Sequence, residues 1–138
     1  MKEKHGKYTF LPLRIALGLF FISSGVPKLM DLVAGEGNVV GYFSSLGILF
    51  PEAMAWIVML IEIVGGLFLV IGLFTWWSSF LIGTVMLVAA IITGLIAQFD
   101  IAGLIEHIMY VAALATIMMS KDTTLAVDEK IGWIEAKF

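Results

Sequence analysis

Residues 53–74 read Ala53-Met-Ala-Trp-Ile-Val-Met-Leu-Ile-Glu62-Ile-Val-Gly65-Gly66-Leu-Phe-Leu-Val-Ile-Gly72-Leu-Phe74, with Glu62 the single charged side chain among them. At 1.5 Å per helical residue, about 20 apolar residues cross the hydrocarbon core of a bilayer, so this stretch is a spanning helix. Three further stretches, 10–32, 76–98 and 101–120, have the same character, and little chain is left between them. The expected fold is an all-α, integral membrane four-helix bundle in a single domain. Composition agrees: 61% hydrophobic and 14% charged residues over 138 positions is far more apolar than the roughly 25% charged average of soluble domains. The chain must be solvated by lipid. A formal charge of −3 without any run of lysine and arginine gives nucleic acid no footprint, and the absence of cysteine excludes disulfides, thiol relays and iron–sulfur centres held by this chain's own thiolates.

The basic leader at 1–7 followed by an apolar stretch resembles a secretory signal. The stretch is too long and lacks a small-x-small cleavage site, so it reads as a retained helix. Pro12 suits the first turn of the first span, and Pro51 with Glu52 suits the start of the second, where a missing N–H is harmless and an acid complements the helix dipole. Lys2, Lys4, Lys7, Arg14, Lys121, Lys130 and Lys137 lie in the terminal segments or the first turns of span one, leaving only Lys28 elsewhere. The positive-inside rule then puts both termini in the cytoplasm of a multi-pass cytoplasmic (inner) membrane protein. The 31–51 connector and the 98–101 turn would face outward. Trp76 and Trp77 mark an interface at the nearly loopless junction of spans two and three, which makes those helices antiparallel neighbours.

Within the connector, Asn38 as N-cap, Gly47 as C-cap and the apolar Val39, Val40, Phe43 and Leu46 predict a short amphipathic helix on the outer surface. In the C-terminal tail, Val127, Ile131, Ile134 and Phe138 recur at helical spacing, which predicts a second amphipathic helix on the inner leaflet or against a partner, with a frayed surface tail as the alternative.

On span one, Arg14, Gly18, Phe21, Gly25 and Lys28 fall on one stripe, which should face protein because glycine admits a close backbone and cations avoid lipid. Glu62, Gly65, Leu69 and Gly72, with Gly66 a turn from Glu62, form the matching stripe of span two; Gly83, Met86, Ala90, Gly94 and Ala97 form that of span three. Glu62 lies about 14 Å below the outer end of its helix, near the midplane, where an acid costs about 3 kcal/mol on insertion scales. With straight helices Lys28 lies about 8 Å from the level of Glu62 and Arg14 about 13 Å, so lysine is the nearer partner unless it snorkels outward or Pro27 kinks its helix. Glu106, His107 and Tyr110 lie in the outer half of span four and with Lys28 outline a polar cavity. A hydrogen-bond network that merely fixes helix register accounts for the same residues. Catalytic residues and a metal set are not apparent. With His5 in the leader, His107 has no second histidine across the bundle for a bis-histidine haem, and copper lacks cysteine.

The chain resembles the DoxX family of small four-helix membrane proteins. The resemblance runs through Arg14-Ile-Ala-Leu-Gly18 with Phe20 and Phe21, Gly25-Val-Pro-Lys28-Leu29, Leu46-Gly47 with Pro51, Glu62-Ile-Val-Gly65-Gly66-Leu67, Ile71-Gly72-Leu73 ahead of Thr75, Glu106, and Leu125-Ala-Val-Asp128. It departs at Met119-Ser120-Lys121-Asp122, where many members carry a glycine-containing turn, and at Trp76, where an arginine is common. Relatives named DoxD look like subunits of a thiosulfate:quinone oxidoreductase, and others are linked to membrane complexes handling thiol or oxidative stress. The resemblance thus implies a quinone-linked subunit, with Glu62, Arg14 and Lys28 near the quinone headgroup.

Three functions compete on the sequence. The first is the membrane subunit of a quinone-linked oxidoreductase, not catalytic alone, with a separate redox subunit as partner. The second is a bundle that binds or carries a small lipid-like molecule, with homo-oligomers supplying any symmetry that transport needs. The third is an anchor or assembly subunit whose charges only specify helix register.

Overall fold

The computed structural model describes residues 10–97 and 99–120. It is all-helical over those residues, in the order α1 Leu11–Ala34, α2 Asn38–Ser45, α3 Pro51–Ile71, α4 Thr75–Ala89 and α5 Ile101–Ser120, with α4 continued by a π-helical segment at Ala90–Ala97. Four helices are long and apolar enough to cross a membrane: α1, α3, the α4–π unit and α5. Their outward surfaces carry large apolar side chains such as Leu19, Met30, Leu60, Leu95 and Met109, which is the solvation that lipid requires. The amphipathic helix expected in the C-terminal tail lies outside the described residues, as do the leader and its basic side chains.

Without a hydrophobic drive between helices in lipid, close approach must come from shape. The tightest seam joins α1 to α3. A Cβ on Gly18 would lie 2.6 Å from the Gly66 carbonyl oxygen, and a Cβ on Gly66 would lie 2.7 Å from that of Gly18. Each glycine makes room for the other's backbone. The expected stripes turn inward, with Arg14, Gly18, Phe21, Gly25, Glu62, Gly65, Gly66 and Leu69 buried, although Gly65 faces Ile82 of α4 and not α1. Farther round, α3 packs on α4 and α4 on α5, while α1 and α5 approach each other much less closely. Phe20 and Tyr110 bridge that gap with stacked rings 4.7 Å apart.

The half of the bundle nearest the chain termini is filled by Leu17, Phe21, Leu69, Ile82, Leu114 and Ile117. At the other end α2 lies across the bundle, in contact with α1 and α3. Its expected caps need correction. Gly37, with φ 79°, holds the N-cap position and offers no side chain; Asn38 is the first helical residue. The free amides are satisfied instead by Asp31 of α1, whose carboxylate accepts from Asn38 N at 3.2 Å and Val39 N at 3.0 Å. Leu46 is the C-cap, and Gly47 (φ 78°) follows it in the left-handed turn that returns the amides of Gly47 and Ile48 to Ser44 and Phe43.

Helix boundaries also move. Pro51 is the first residue of α3, two residues before the expected start, and the helix stops at Ile71 because Gly72 turns left-handed at φ 73°. Phe50, Phe74 and Phe99 also adopt positive φ, the first two as N-caps of α3 and α4. Connections this short leave no room for a relaxed turn.

Candidate functional site

The ion pair at the centre of the site follows from the α1–α3 seam. Gly25 lies where a Cβ would meet Ile63 and, at 3.3 Å, the Cβ of Glu62, so α3 comes close enough for Glu62 to be reached from α1. The two helices run antiparallel and side chains tilt toward their own N-termini. Lys28 therefore leans deeper into the bundle and Glu62 leans back toward the connector, which closes the axial offset between their backbones. Lys28 Nζ donates to Glu62 Oε2 at 2.6 Å and to Ser24 Oγ, one turn below on its own helix, at 3.1 Å. Glu62 is 2% exposed and Lys28 24%. A charge-assisted bond of this kind is what permits an acid at this depth.

Beside the pair is a cavity of about 500 Å³ in the connector half of the bundle. Phe20, Phe21, Ser24 and Lys28 of α1 form one wall, and Met54, Ile57, Val58 and Glu62 of α3 the next. The α4–π unit contributes Thr84, Met86, Ala89 and Thr93, α5 contributes Glu106, His107 and Tyr110, and α2 closes the end with Phe43 and Leu46. Most of this lining is apolar. Grooves of comparable volume lie between α3 and α4 and beside α2; what sets this one apart is a lining drawn from all five helices with several polar and charged side chains on an apolar wall, which gives it the character of a binding site.

The α5 wall carries its own polar order. Tyr110 donates to Glu106 Oε1 at 2.9 Å, one turn away. His107 Nδ1 lies 2.6 Å from the carbonyl oxygen of Gly103. A carbonyl can only accept, so Nδ1 carries the proton, and in the neutral ring Nε2 keeps its lone pair.

Five of the six residues singled out in the sequence, Lys28, Glu62, Glu106, His107 and Tyr110, line this one cavity. The sixth, Arg14, does not. It is buried at 2% exposure in the terminal half, a turn before Leu17 and Gly18. Glu62 is paired with Lys28 and not with Arg14, and the lysine does not snorkel outward. Sequence reasoning missed Ser24, although it precedes Lys28 by four residues on the same face, and it missed Asp31, which secures α2. It missed Thr84 and Thr93 as well, and nothing in their surroundings marks them.

The profile of the DoxX family matches residues 9–95, well over half the chain. The chain belongs to the DoxX family. The match covers α1, α2, α3 and most of the third span, so Arg14, Lys28 and Glu62 stand inside the DoxX region, whereas Glu106, His107 and Tyr110 on α5 stand beyond its end. No curated protein and no solved structure matches the chain.

Proposed function

We propose that this DoxX protein is the ligand-binding membrane subunit of a quinone-linked oxidoreductase complex, holding a quinone-class molecule in the connector-half cavity with its ring against the Lys28–Glu62 pair. The observation that carries the reading is that pair: a 2.6 Å ion pair on the wall of an otherwise apolar cavity of about 500 Å³. A planar ring with polar oxygens and an apolar tail matches such a lining. Lys28 would donate to a ring oxygen, Glu62 would hold the lysine in place and exchange protons with the headgroup, and the loose α1–α5 side would pass the tail to the bilayer. Electron transfer belongs to a partner subunit or to a substrate that reacts with the quinone directly. The concentration of lysine in the terminal segments supports a cytoplasmic location for both termini in the inner membrane.

Two measurements test this. Organic extracts of the mildly solubilised protein are expected to contain quinone in near-stoichiometric amount, and Glu62→Gln is expected to deplete it and to lower the quinone-dependent activity of the complex that purifies with the chain. Full activity and unchanged quinone content in Glu62→Gln would refute the reading.

A second reading, a non-catalytic assembly subunit, is favoured by α5. Only 11% of its spanning window is buried, the least of the four spans, which leaves a broad apolar face for a partner helix. On this reading Glu62→Gln lowers the abundance of the whole complex while the specific activity of what remains is unchanged.

A further inference from the structure

The polar side chains on the cavity wall are unequal in what they offer. Thr84 spends its hydroxyl proton on the Phe80 carbonyl at 2.8 Å and Thr93 spends its own on the Ala89 carbonyl at 2.7 Å, both one turn back along the same helix. Tyr110 gives its proton to Glu106 and His107 gives Nδ1–H to Gly103. Every one of these four groups on the α4 and α5 walls has committed its donor within four residues, and each retains a lone pair: two threonine oxygens, the phenolic oxygen and His107 Nε2. The carboxylates of Glu62 and Glu106 add acceptors only. Against them stand the third ammonium proton of Lys28 and the hydroxyl of Tyr42, since the Ser24 hydroxyl is turned to the Glu62 carboxylate. Charge points the same way, since one lysine faces two glutamates on the lining.

We propose that the cavity selects a headgroup that donates hydrogen bonds, the hydroxyl-bearing hydroquinone form rather than the quinone, with His107 Nε2 as a specificity-determining acceptor on the wall across from Lys28–Glu62. The inference rests on the reading of the cavity as a quinone-class site and adds which form it favours. A quinone carbonyl brings further lone pairs to a wall already rich in them, and would leave Nε2 and the threonine oxygens without a donor. A ring hydroxyl supplies the missing proton. The Gly103 carbonyl fixes the tautomer that receives it, which makes His107 an oriented acceptor instead of a rotor with either nitrogen available. His107 lies on α5, beyond the stretch matched by the family.

The test uses the purified full-length chain in lipid nanodiscs, kept anaerobic, with three probes titrated separately: decylubiquinol, decylubiquinone, and the dimethyl ether of the quinol. The ether keeps ring and tail but has no O–H. Decylubiquinol is expected to bind about tenfold more tightly than either of the others, the worth of roughly 1.4 kcal/mol in hydrogen bonding. His107→Phe, which keeps a ring but removes Nε2, is expected to bring the ratio close to one with little change in decylubiquinone affinity. Equal affinity for quinol and ether in the wild-type protein would overturn the inference while leaving the quinone-class site standing. Absence of binding by all three probes would overturn both. A ratio that survives His107→Phe would remove His107 from the role, and the wild-type comparison stands whether or not that variant folds.

Discussion

The two halves of the bundle are built from the same four spanning helices, yet the terminal half is solid at its centre, with only an outward-facing groove between α3 and α4, and the connector half contains a cavity lined by all five helices. In the terminal half, Leu17, Leu69, Ile82, Leu114 and Ile117 interlock around the mutual approach of Gly18 and Gly66. In the connector half, the same α1–α3 seam continues through Gly25, but α4 gives way to the wider π-helical turns at Ala90–Ala97, α1 and α5 stay apart, and α2 covers the end. The difference lies in helix geometry and side-chain shape. Polar groups occur in both halves: the Lys28–Glu62 pair and the α5 polar residues border the cavity, whereas Arg14, Thr75, Ser78 and Ser79 are buried in the terminal half.

The largest expected effect breaks the solid half. Gly66→Leu places a branched side chain where a Cβ alone would lie 2.7 Å from backbone, so the α1–α3 seam cannot form, and little folded protein is expected by size-exclusion chromatography in detergent. Next comes the ion pair. Lys28→Met leaves Glu62 buried without its cation and is expected to cost about 3 kcal/mol in unfolding titrations, while Lys28→Met combined with Glu62→Gln recovers most of the loss. Equal losses in the single and double variants would mean that the pair has no coupling. Asp31→Ala removes both amide contacts to α2 and is expected to cost about 1 kcal/mol, with faster hydrogen exchange confined to α2 and the cavity end. The smallest effect is expected at Ala89, set against its neighbour Ala90. Ala90 is 1% exposed in the packed interior, and Ala90→Leu should destabilise by about 2 kcal/mol; Ala89 faces the cavity, and Ala89→Leu should change stability by under about 0.5 kcal/mol while displacing bound ligand. Similar costs at both positions would erase the distinction between packed interior and cavity wall.

Much of this arrangement is written in local pattern. Spans are legible because about 20 apolar residues in succession have few alternatives, and the buried stripes because glycine and charge recur at helical spacing. Span four starts at Ile101 as expected and is helical to the last residue described there, Ser120. Partner choice for Glu62 was narrowed by depth along the helices, and the remaining offset disappears once the opposed tilts of the two side chains are included. The π-helical turns were not legible. They shift hydrogen bonding by a single residue, and their local correlates, the Thr93 hydroxyl on the Ala89 carbonyl and Gly94 against Leu104, are ordinary residues in an apolar run. Asp31 as the cap of α2 was hidden for a different reason. The contact spans seven and eight residues across a left-handed turn at Gly35 and Gly37, beyond any capping pattern within one helix. Spacing along the first span already sets Arg14 well below Glu62 and Lys28, but a shared stripe gives direction and depth, not which half has room for a cavity.

The central claim is that the connector half, and no other surface, holds a quinone-class ligand. The most direct measurement is photolabelling of the protein in native membranes with an azidoquinone, followed by peptide mapping of the labelled positions. Label concentrated on cavity residues such as Phe21, Met86 and Tyr110, and competed away by unlabelled quinone, is the predicted result. Label spread over lipid-facing positions such as Leu19, Leu60 and Met109, with no competition, would contradict the account.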